Sequence, residues 1–302
     1  MRLKTSAAFA LTVLAAAAVA GCNGDDFGVG VGIGTCTPDT TLLAVTDTNK
    51  LITFKSTAPG ILLTSVTLSG LGSAGVAGID ARPASGAIYI LSTDDKLYTV
   101  NTSTGVATQV GAAAVTGFTN VGGFNFNPVV DRIRAINTDG SSNKRIHPDT
   151  GVLLATDTSL SYATGDVNAG KTFALRGMAY KATSTAGSPP VNVTTAYVID
   201  ATQNVLATLG GANGTPTSPN TGQLFTVGAL GVDVSTAVTQ QTFDIDGANG
   251  VGYFVQEGST RTLRQVNLAT GVSKPCGGTV SASGGGELPI KAMTVVVPVP
   301  AV

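Results

Sequence analysis

Two aspartates and one asparagine are the side chains in this sequence best suited to joint chemistry. Asp80, Asn125 and Asp244 occupy equivalent places in a repeated motif, each directly after a large apolar residue. If the motifs converge, these oxygens would suit a hard cation, and the cation expected is Ca²⁺. They would equally line a small-molecule pocket. The simplest interpretation is that they accept hydrogen bonds from neighbouring backbone or water.

No catalytic residue is predicted. His147 is the only histidine, and the repeats align it with Asn101 and Asn267 at a turn, where a turn residue is a simpler explanation than a general base. This argues against Ser-His-Asp hydrolysis, and no Gly-x-Ser-x-Gly elbow occurs. The sequence also has no P-loop, His-Glu-x-x-His or EF-hand spacing.

The elements that would position the three polar side chains belong to an internal repeat with a period of about 45 residues, which is typical of propeller blades. Each full copy contains four short strand-like segments separated by turn residues, often with a Thr-Gly pair before the fourth. The four full copies begin at Gly78, Gly123, Gly177 and Phe243.

An incomplete copy at the N-terminal side is completed at the C-terminal side. Residues 41–45 and 50–54 match the second and third strands of a repeat, and the missing first strand is found at residues 292–296. A repeat divided in this way is what ring closure requires. The sequence therefore predicts an all-β fold, a β-propeller of about five four-stranded blades with the first blade closed by the C-terminal strand. A β-sandwich would not need the division, and a solenoid would need capping repeats.

The segment from Gly78 to Gly151 resembles the bacterial DUF4394 domain family. The resemblance rests on Gly-Ile-Asp-Ala-Arg-Pro, Lys-Leu-Tyr-Thr-Val-Asn and His-Pro-Asp-Thr-Gly, and above all on residues 127–134, Asn-Pro-Val-Val-Asp-Arg-Ile-Arg. It extends over residues 40–298. The resemblance implies a propeller-like fold and an exported protein, and it supplies no catalytic residues.

Charge and composition exclude some partners. Lys and Arg number 17 against 18 Asp and Glu, and charged residues make up only 12% of the chain. This balance provides no electrostatic attraction for nucleic acid, so no nucleic-acid partner is expected.

The N-terminus has the pattern of an export signal. Two basic residues, Arg2 and Lys4, precede an apolar stretch over residues 7–20, which is short for a membrane span. The stretch ends in Val-Ala-Gly-Cys22, which resembles the lipobox of bacterial lipoproteins, and the resemblance implies a lipid on Cys22. The alternative is an ordinary signal peptide with a chance cysteine.

The predicted organisation is a lipoprotein signal peptide over 1–21, a Gly-rich tether over 22–39 and the propeller over 40–302. Asn23 stands where many lipoproteins kept at the inner membrane have aspartate. The expected location is therefore the cell envelope, at the outer membrane, with the lipid as the membrane contact.

Cys36 and Cys276 are the cysteines left after Cys22. An oxidising compartment favours a disulfide between them, and ring closure would bring the start of the first blade beside the last strand of the last full blade. Two cysteines and a distant histidine do not make a zinc site.

Two functional hypotheses follow. The first is a lipid-anchored, non-catalytic binding or interaction scaffold in the cell envelope, whose partner is an envelope protein or a small molecule. The second is a propeller enzyme, a hydrolase or lyase, that uses a metal or small-molecule site in the central channel. Few titratable groups and a repeat scaffold favour the first.

Overall fold

The repeats fold into five antiparallel sheets in the computed structural model, which describes residues 35–184, 192–235, 241–258, 260–281, 286 and 288–297. Each repeat motif begins with a strand that contains buried apolar side chains, and turns with Gly or Asn separate the strands. Each sheet forms one blade, and the blades are numbered from the N-terminus.

The strands of the first three blades follow the repeat boundaries. Blade 1 contains β1 (Thr41–Thr46), β2 (Lys50–Lys55) and β3 (Ala58–Thr67); blade 2 contains β4 (Val76–Ala81), β5 (Ile88–Ser92), β6 (Leu97–Val100) and β7 (Ala107–Val110); blade 3 contains β8 (Val121–Asn127), β9 (Arg132–Asn137), β10 (Asn143–Ile146) and β11 (Leu153–Thr156).

The remaining strands form blades 4 and 5 and complete blade 1. Blade 4 contains β12 (Ser161–Tyr162), β13 (Leu175–Ser184), β14 (Asn192–Asp200), β15 (Val205–Leu209) and β16 (Gln223–Ala229); blade 5 contains β17 (Phe243–Asp246), β18 (Val251–Gln256), β19 (Thr262–Val266) and β20 (Ser273–Thr279); β21 (Ile290–Val295) belongs to blade 1.

The C-terminal strand closes the ring. Strand β21 pairs antiparallel with β1, with Leu42 opposite Val295 and Ala44 opposite Met293, so the first sheet has the order β21-β1-β2-β3. The prediction of a five-bladed propeller whose first blade is completed by the last strand is confirmed. The closure leaves no unpaired innermost strand in blade 1.

The apolar core is divided into five clusters, one at each junction between neighbouring blades. The β-strands alternate their side chains between two faces, so every blade contributes one face to each of two clusters. Representative pairs across the junctions are Val45 and Ile90, Leu97 and Ile146, Ile136 and Val198, Leu206 and Phe254, and Leu263 and Ile52. The cluster between blades 5 and 1 completes the ring.

Blade 4 differs from the other blades by a fifth strand. The two-residue strand β12 pairs parallel with the outer strand β16, and two short 3-10 turns, Ala212–Gly214 and Pro219–Thr221, lie in the connection from β15 to β16. The sequence predicts exposed insertions at 184–190 and 210–221. The second is this turn region, which is largely exposed or half-buried, and residues 185–190 lie outside the described residues.

The Thr-Gly pairs of the repeat are turns that contact the preceding blade. Gly105 has a φ of +74°, and a Cβ there would lie 2.2 Å from the carbonyl oxygen of Thr67 on the outer strand of blade 1. Glycine is needed because L-residues rarely adopt this backbone conformation and because no space exists for a side chain. Gly151 and Gly271 have similar φ values of +67° and +77°.

The segment before β1 is attached to blade 5. Cys36 and Cys276 form a disulfide across 240 positions of sequence, as predicted, and Cys276 lies in β20. The carbonyl of Pro38 accepts hydrogen bonds from the Tyr253 hydroxyl at 3.2 Å and the Ser56 hydroxyl at 2.9 Å. Residues 35–39, the last part of the predicted tether, are thereby fastened to the ring.

The predicted signal peptide, Cys22 and the tether up to residue 34 lie outside the described residues. Lipidation and export therefore stay predictions. The described part of the chain contains no helix with the length and hydrophobicity of a membrane span.

Candidate functional site

The three polar side chains singled out in the repeats meet at the centre of the ring. Asp80, Asn125 and Asp244 lie on the innermost strands of blades 2, 3 and 5, and each is at most 6% exposed. The Asn125 amide donates to Asp244 Oδ1 at 3.1 Å. The repeats therefore bring these three positions together, which is the condition that a joint site requires.

Each of these side chains accepts a hydrogen bond from the innermost strand of the next blade. Asp80 Oδ2 accepts from the backbone N–H of Phe126 at 2.6 Å, and Asn125 Oδ1 accepts from that of Tyr180 at 2.9 Å. Asp244 Oδ2 accepts from Val295 N at 2.7 Å. Innermost strands have one unpaired edge, and these bonds satisfy backbone donors on it that would otherwise be buried without partners.

The equivalent position is also a polar acceptor in blade 1 but not in blade 4. Thr294 Oγ1 accepts from the backbone N–H of Ala81 at 3.2 Å. Blade 4 has Ala179 there, whose side chain has no acceptor. The backbone N–H of Ile245, on the innermost strand of the next blade, donates instead to Asp244 Oδ1 at 2.8 Å. Four polar side chains therefore accept the backbone hydrogen bonds at all five blade junctions.

A single hydroxyl lies between the two buried carboxyl groups. Thr294 Oγ1 is 2.9 Å from Asp80 Oδ1 and 2.9 Å from Asp244 Oδ2. A hydroxyl has one hydrogen to donate, so only one carboxylate can accept it, and the other carboxyl must hold a proton and donate to Thr294.

Asp80 is the carboxyl group that holds the proton. Asp244 accepts four hydrogen bonds, from Val295 N, Ile245 N, Asn125 Nδ2 and Thr294 Oγ1, which stabilise its charge. Burial and the neighbouring charge of Asp244 raise the pKa of Asp80 well above its usual value. Burial also raises the pKa of Asp244, to about 6, and both shifts favour a proton bound within the pair.

This bonding bears directly on the calcium hypothesis. A carboxylate has about four lone-pair positions, and the four donors around Asp244 use that capacity. In the described ranges, no group of three or more His, Cys, Asp or Glu side chains is placed to hold a metal ion. The calcium site stays a prediction, and to form it the three side chains would have to give up their bonds between blades.

Gln241 joins the innermost strands of blades 1, 2 and 3 beside this cluster. Its side chain is 1% exposed; Oε1 accepts from Ile79 N at 3.1 Å, and Nε2 donates to the carbonyl of Phe124. Its own carbonyl accepts from Met293 N at 2.9 Å. The sequence analysis missed this residue because Gln241 precedes the repeated motif and the other blades have no equivalent of it.

On the other side of the cluster the channel opens into a cavity of about 290 Å³. Asp80, Asn125 and Asp244 are among its lining residues. Most of the rest are apolar, including Phe126, Ile245 and Val295. Small-molecule sites have this composition, a largely apolar wall with a few polar groups.

His147 has the turn role that the alignment predicts. Its Nδ1 accepts from the backbone N–H of Asp149 at 3.2 Å. The Asn101 side chain accepts from Ser103 N at 3.0 Å in blade 2, and Asn267 does the same for Ala269 N at 2.8 Å in blade 5. A side chain that closes its own turn in this way needs only an acceptor atom two residues before the donor.

Comparison with known proteins identifies a family and similar structures. The family described as "Domain of unknown function (DUF4394)" matches residues 50–284, and no curated protein matches. A nidogen/laminin complex structure is similar at 12% identity and a TM-score of 0.44, covering 86% of this chain and 99% of that chain.

Two structures of unknown function are also similar. One, from Bacteroides thetaiotaomicron, has 11% identity and a TM-score of 0.44, covering 80% of this chain and 58% of that chain. The other, from Bacteroides caccae, has 9% identity and a TM-score of 0.42, covering 86% of this chain and 99% of that chain.

Proposed function

Because this chain belongs to the DUF4394 family, a domain of unknown function, we propose a function from its own site: it is a lipid-anchored, non-catalytic binding scaffold of the cell envelope. One observation carries the proposal. The polar side chains at the channel centre, the groups best suited to catalysis, are all engaged in hydrogen bonds that join one blade to the next.

A catalytic acid or base must reach its substrate. Asp80 and Asp244 instead bond to Phe126 N and Val295 N, so a substrate would have to compete with bonds that join the blades. The cavity above them offers apolar contact with few polar groups, which supports binding better than turnover.

The disulfide supports the export part of the proposal, because disulfides persist in oxidising compartments. The lipobox-like sequence ending at Cys22 supports a lipid anchor at the outer membrane, with the ring held outside the bilayer. The partner is an envelope protein or a small molecule.

Mass spectrometry of the complete chain, purified from envelopes in mild detergent, tests the proposal. The denatured chain is expected to begin at Cys22 and to carry the mass of a diacylglycerol, which Cys22→Ala removes. The native chain is expected to carry a non-covalent ligand whose mass is unchanged after incubation with fresh protein.

The alternative function, a channel enzyme that uses a metal, predicts different masses in the same experiment. Millimolar Ca²⁺ would add a bound ion that Asp244→Asn removes, and the recovered ligand would be converted to a product. Conversion of the ligand would contradict the non-catalytic scaffold, a bound ion without conversion would contradict only the engagement of these side chains in the blade junctions, and a chain without the lipid would contradict the anchor.

A further inference from the structure

A second cavity, of about 330 Å³, lies between blades 3 and 4 and shares Tyr180 with the channel cavity. One wall comes from β9 and β10 with the turn before them, and the other comes from β13, β14 and the two 3-10 turns of blade 4. The segment 127–134, the most specific part of the sequence motif, supplies most of the first wall. Its volume lies within the range of about 300–1,000 Å³ typical of small-molecule pockets.

The lining of this cleft has an excess of positive charge. Arg132, Arg134 and Arg145 line it, and no aspartate or glutamate does. Asp157 lies behind them and pairs with Arg134 at 2.9 Å and with Arg145 at 2.9 Å. Asp149 also lies within electrostatic reach of Arg132, so two carboxylates against three guanidinium groups leave one positive charge at the cleft, in a chain whose net charge is −1.

Arg134 is held rigidly at the floor of the cleft. Its side chain is 4% exposed and donates to the Tyr180 hydroxyl at 2.7 Å, to Asn220 Oδ1 at 2.6 Å and to Asn143 Oδ1 at 2.5 Å. Tyr180 and Asn220 belong to blade 4, so this arginine fixes the two walls relative to each other.

The other two guanidinium groups keep donors for a ligand. Arg145 uses Nε and Nη2 for Asp157. The hydrogen bonds of Arg132 within the described residues come from Nη1, to the carbonyls of Asp131 at 2.8 Å and Val130 at 3.5 Å. Among the described residues, Nη1 of Arg145 and Nε and Nη2 of Arg132 have no acceptor, and guanidinium groups bind carboxylate and phosphate with paired hydrogen bonds.

Amide and hydroxyl groups form the rest of the polar lining. Asn127, Asn192, Thr194 and Ser218 surround the arginines. Asn127 donates to Thr194 at 3.1 Å, and Ser218 accepts from Asn220 N at 3.2 Å, so the hydroxyl hydrogens of Thr194 and Ser218 remain to be donated to a hydroxylated molecule. Val129 and Val130, 40% and 56% exposed, add apolar contact at the rim.

We propose that the cleft between blades 3 and 4 binds a small hydroxylated anion, a sugar that carries a carboxylate or a phosphate, with Arg132 and Arg145 contacting the anionic group. The inference rests on the proposed binding role and names the chemical class of its ligand. Arg134 is the positioning residue that holds the walls.

Isothermal titration of the complete chain with D-glucuronate, D-glucose 6-phosphate and D-glucose tests the assignment. Saturable binding is expected for one or both anions, and the stronger anion identifies carboxylate or phosphate as the recognised group. Glucose is expected to bind at least tenfold more weakly. Raising NaCl from about 50 to 500 mM is expected to weaken the binding of the anions.

Arg132→Gln and Arg145→Gln are each expected to raise the Kd by about tenfold, because each removes one charge-assisted contact. Lys50→Gln is the matched control, since Lys50 is an exposed cation on blade 1 whose ammonium group bonds, among the described residues, to the Thr67 hydroxyl alone. It is expected to leave the Kd unchanged. If Arg145→Gln does not fold without its Asp157 pair, Arg132→Gln alone decides the matter.

Absence of binding by both anions, equal binding of glucose, or unchanged affinity in Arg132→Gln would overturn the inference. These results are distinguishable from failure of the scaffold proposal. Anions that bind and are then converted would support anion binding in the cleft and contradict a non-catalytic role. A different envelope ligand, with no anion bound, would support the scaffold and contradict anion binding in the cleft.

Discussion

Thr294 donates one hydroxyl hydrogen, and the carboxyl groups of Asp80 and Asp244 both lie 2.9 Å from its oxygen. At the scale of single residues this arrangement assigns a proton to Asp80 and a charge to Asp244. The two aspartates occupy equivalent repeat positions, yet their hydrogen bonds make them chemically different. Amide substitution separates the two roles.

At pH 7, Asp80→Asn is expected to keep or raise the free energy of unfolding, since the amide replaces a neutral carboxyl, still donates to Thr294 and avoids the cost of protonating Asp80 on folding. Asp244→Asn is expected to destabilise by about 2–3 kcal/mol, because its NH₂ group would face a buried backbone donor, of Val295 or Ile245. Urea unfolding of both variants measures the difference. Equal losses would show that the proton is not confined to Asp80.

The dependence on pH is the control for this assignment. The raised pKa of Asp80 means that the folded state binds the proton more tightly than the unfolded state. The stability from that proton is full below the unfolded value near 3.8 and is lost as pH rises through the folded value. The stability of Asp80→Asn relative to wild type is therefore expected to increase from pH 4 to pH 8, by about 1.4 kcal/mol per unit by which folding raises the pKa. A stability difference between variant and wild type that does not change with pH would contradict the assignment of the proton to Asp80.

At the scale of the elements, the turns explain why the repeat contains Thr-Gly. Gly105 and Gly72 both have positive φ, +74° and +65°, but a Cβ at Gly72 would meet nothing within 4 Å, and at Gly105 it would collide with Thr67. Comparing an added Cβ at the two glycines therefore separates the cost of backbone strain from the cost of the contact between blades.

Gly72→Ala is expected to cost about 1 kcal/mol of unfolding free energy, the strain of a left-handed backbone. Gly105→Ala is expected to cost at least about 2 kcal/mol more, because blade 2 must move away from blade 1. Chemical denaturation of the two variants provides the comparison. Equal costs would mean that the close approach to Thr67 contributes nothing.

Strand positions and the Asp80, Asn125 and Asp244 column were predictable because each appears in several repeats. The fifth strand of blade 4 and Gln241 were not, since each occurs once and gains its meaning from a partner distant in sequence. The arginine cleft was hidden for the same reason. Arg134 and Asn220 are 86 positions apart, and only the packing of blade 3 on blade 4 brings them together.

At the scale of the whole molecule, the ring is closed twice at one place. Strand β21 pairs with β1 inside blade 1, and the Cys36–Cys276 disulfide joins the segment before β1 to β20 of blade 5. Both closures were foreseen because the divided repeat and the paired cysteines lie near the ends of the domain. The covalent one can be removed without disturbing the other.

Replacing both Cys36 and Cys276 with serine is expected to lower the free energy of unfolding by about 5 kcal/mol, the loop entropy for a closure of this length. The secondary structure is expected to remain, because the β1–β21 pairing does not depend on the bond. Urea unfolding of wild type with and without reductant, beside the double variant, measures the loss. Unchanged stability on reduction would show that strand pairing alone closes the ring.

The completion of blade 1 by β21 also sets a requirement on folding. Strand β1 (Thr41–Thr46) and its partner β21 (Ile290–Val295) lie at opposite ends of the propeller sequence, so their pairing closes a loop that contains every other blade. A chain in which β21 is detached would expose the inner edge of β1, which is a target for proteases and a site of aggregation. The β1–β21 pairing therefore makes the protection of blade 1 depend on the formation of the whole ring.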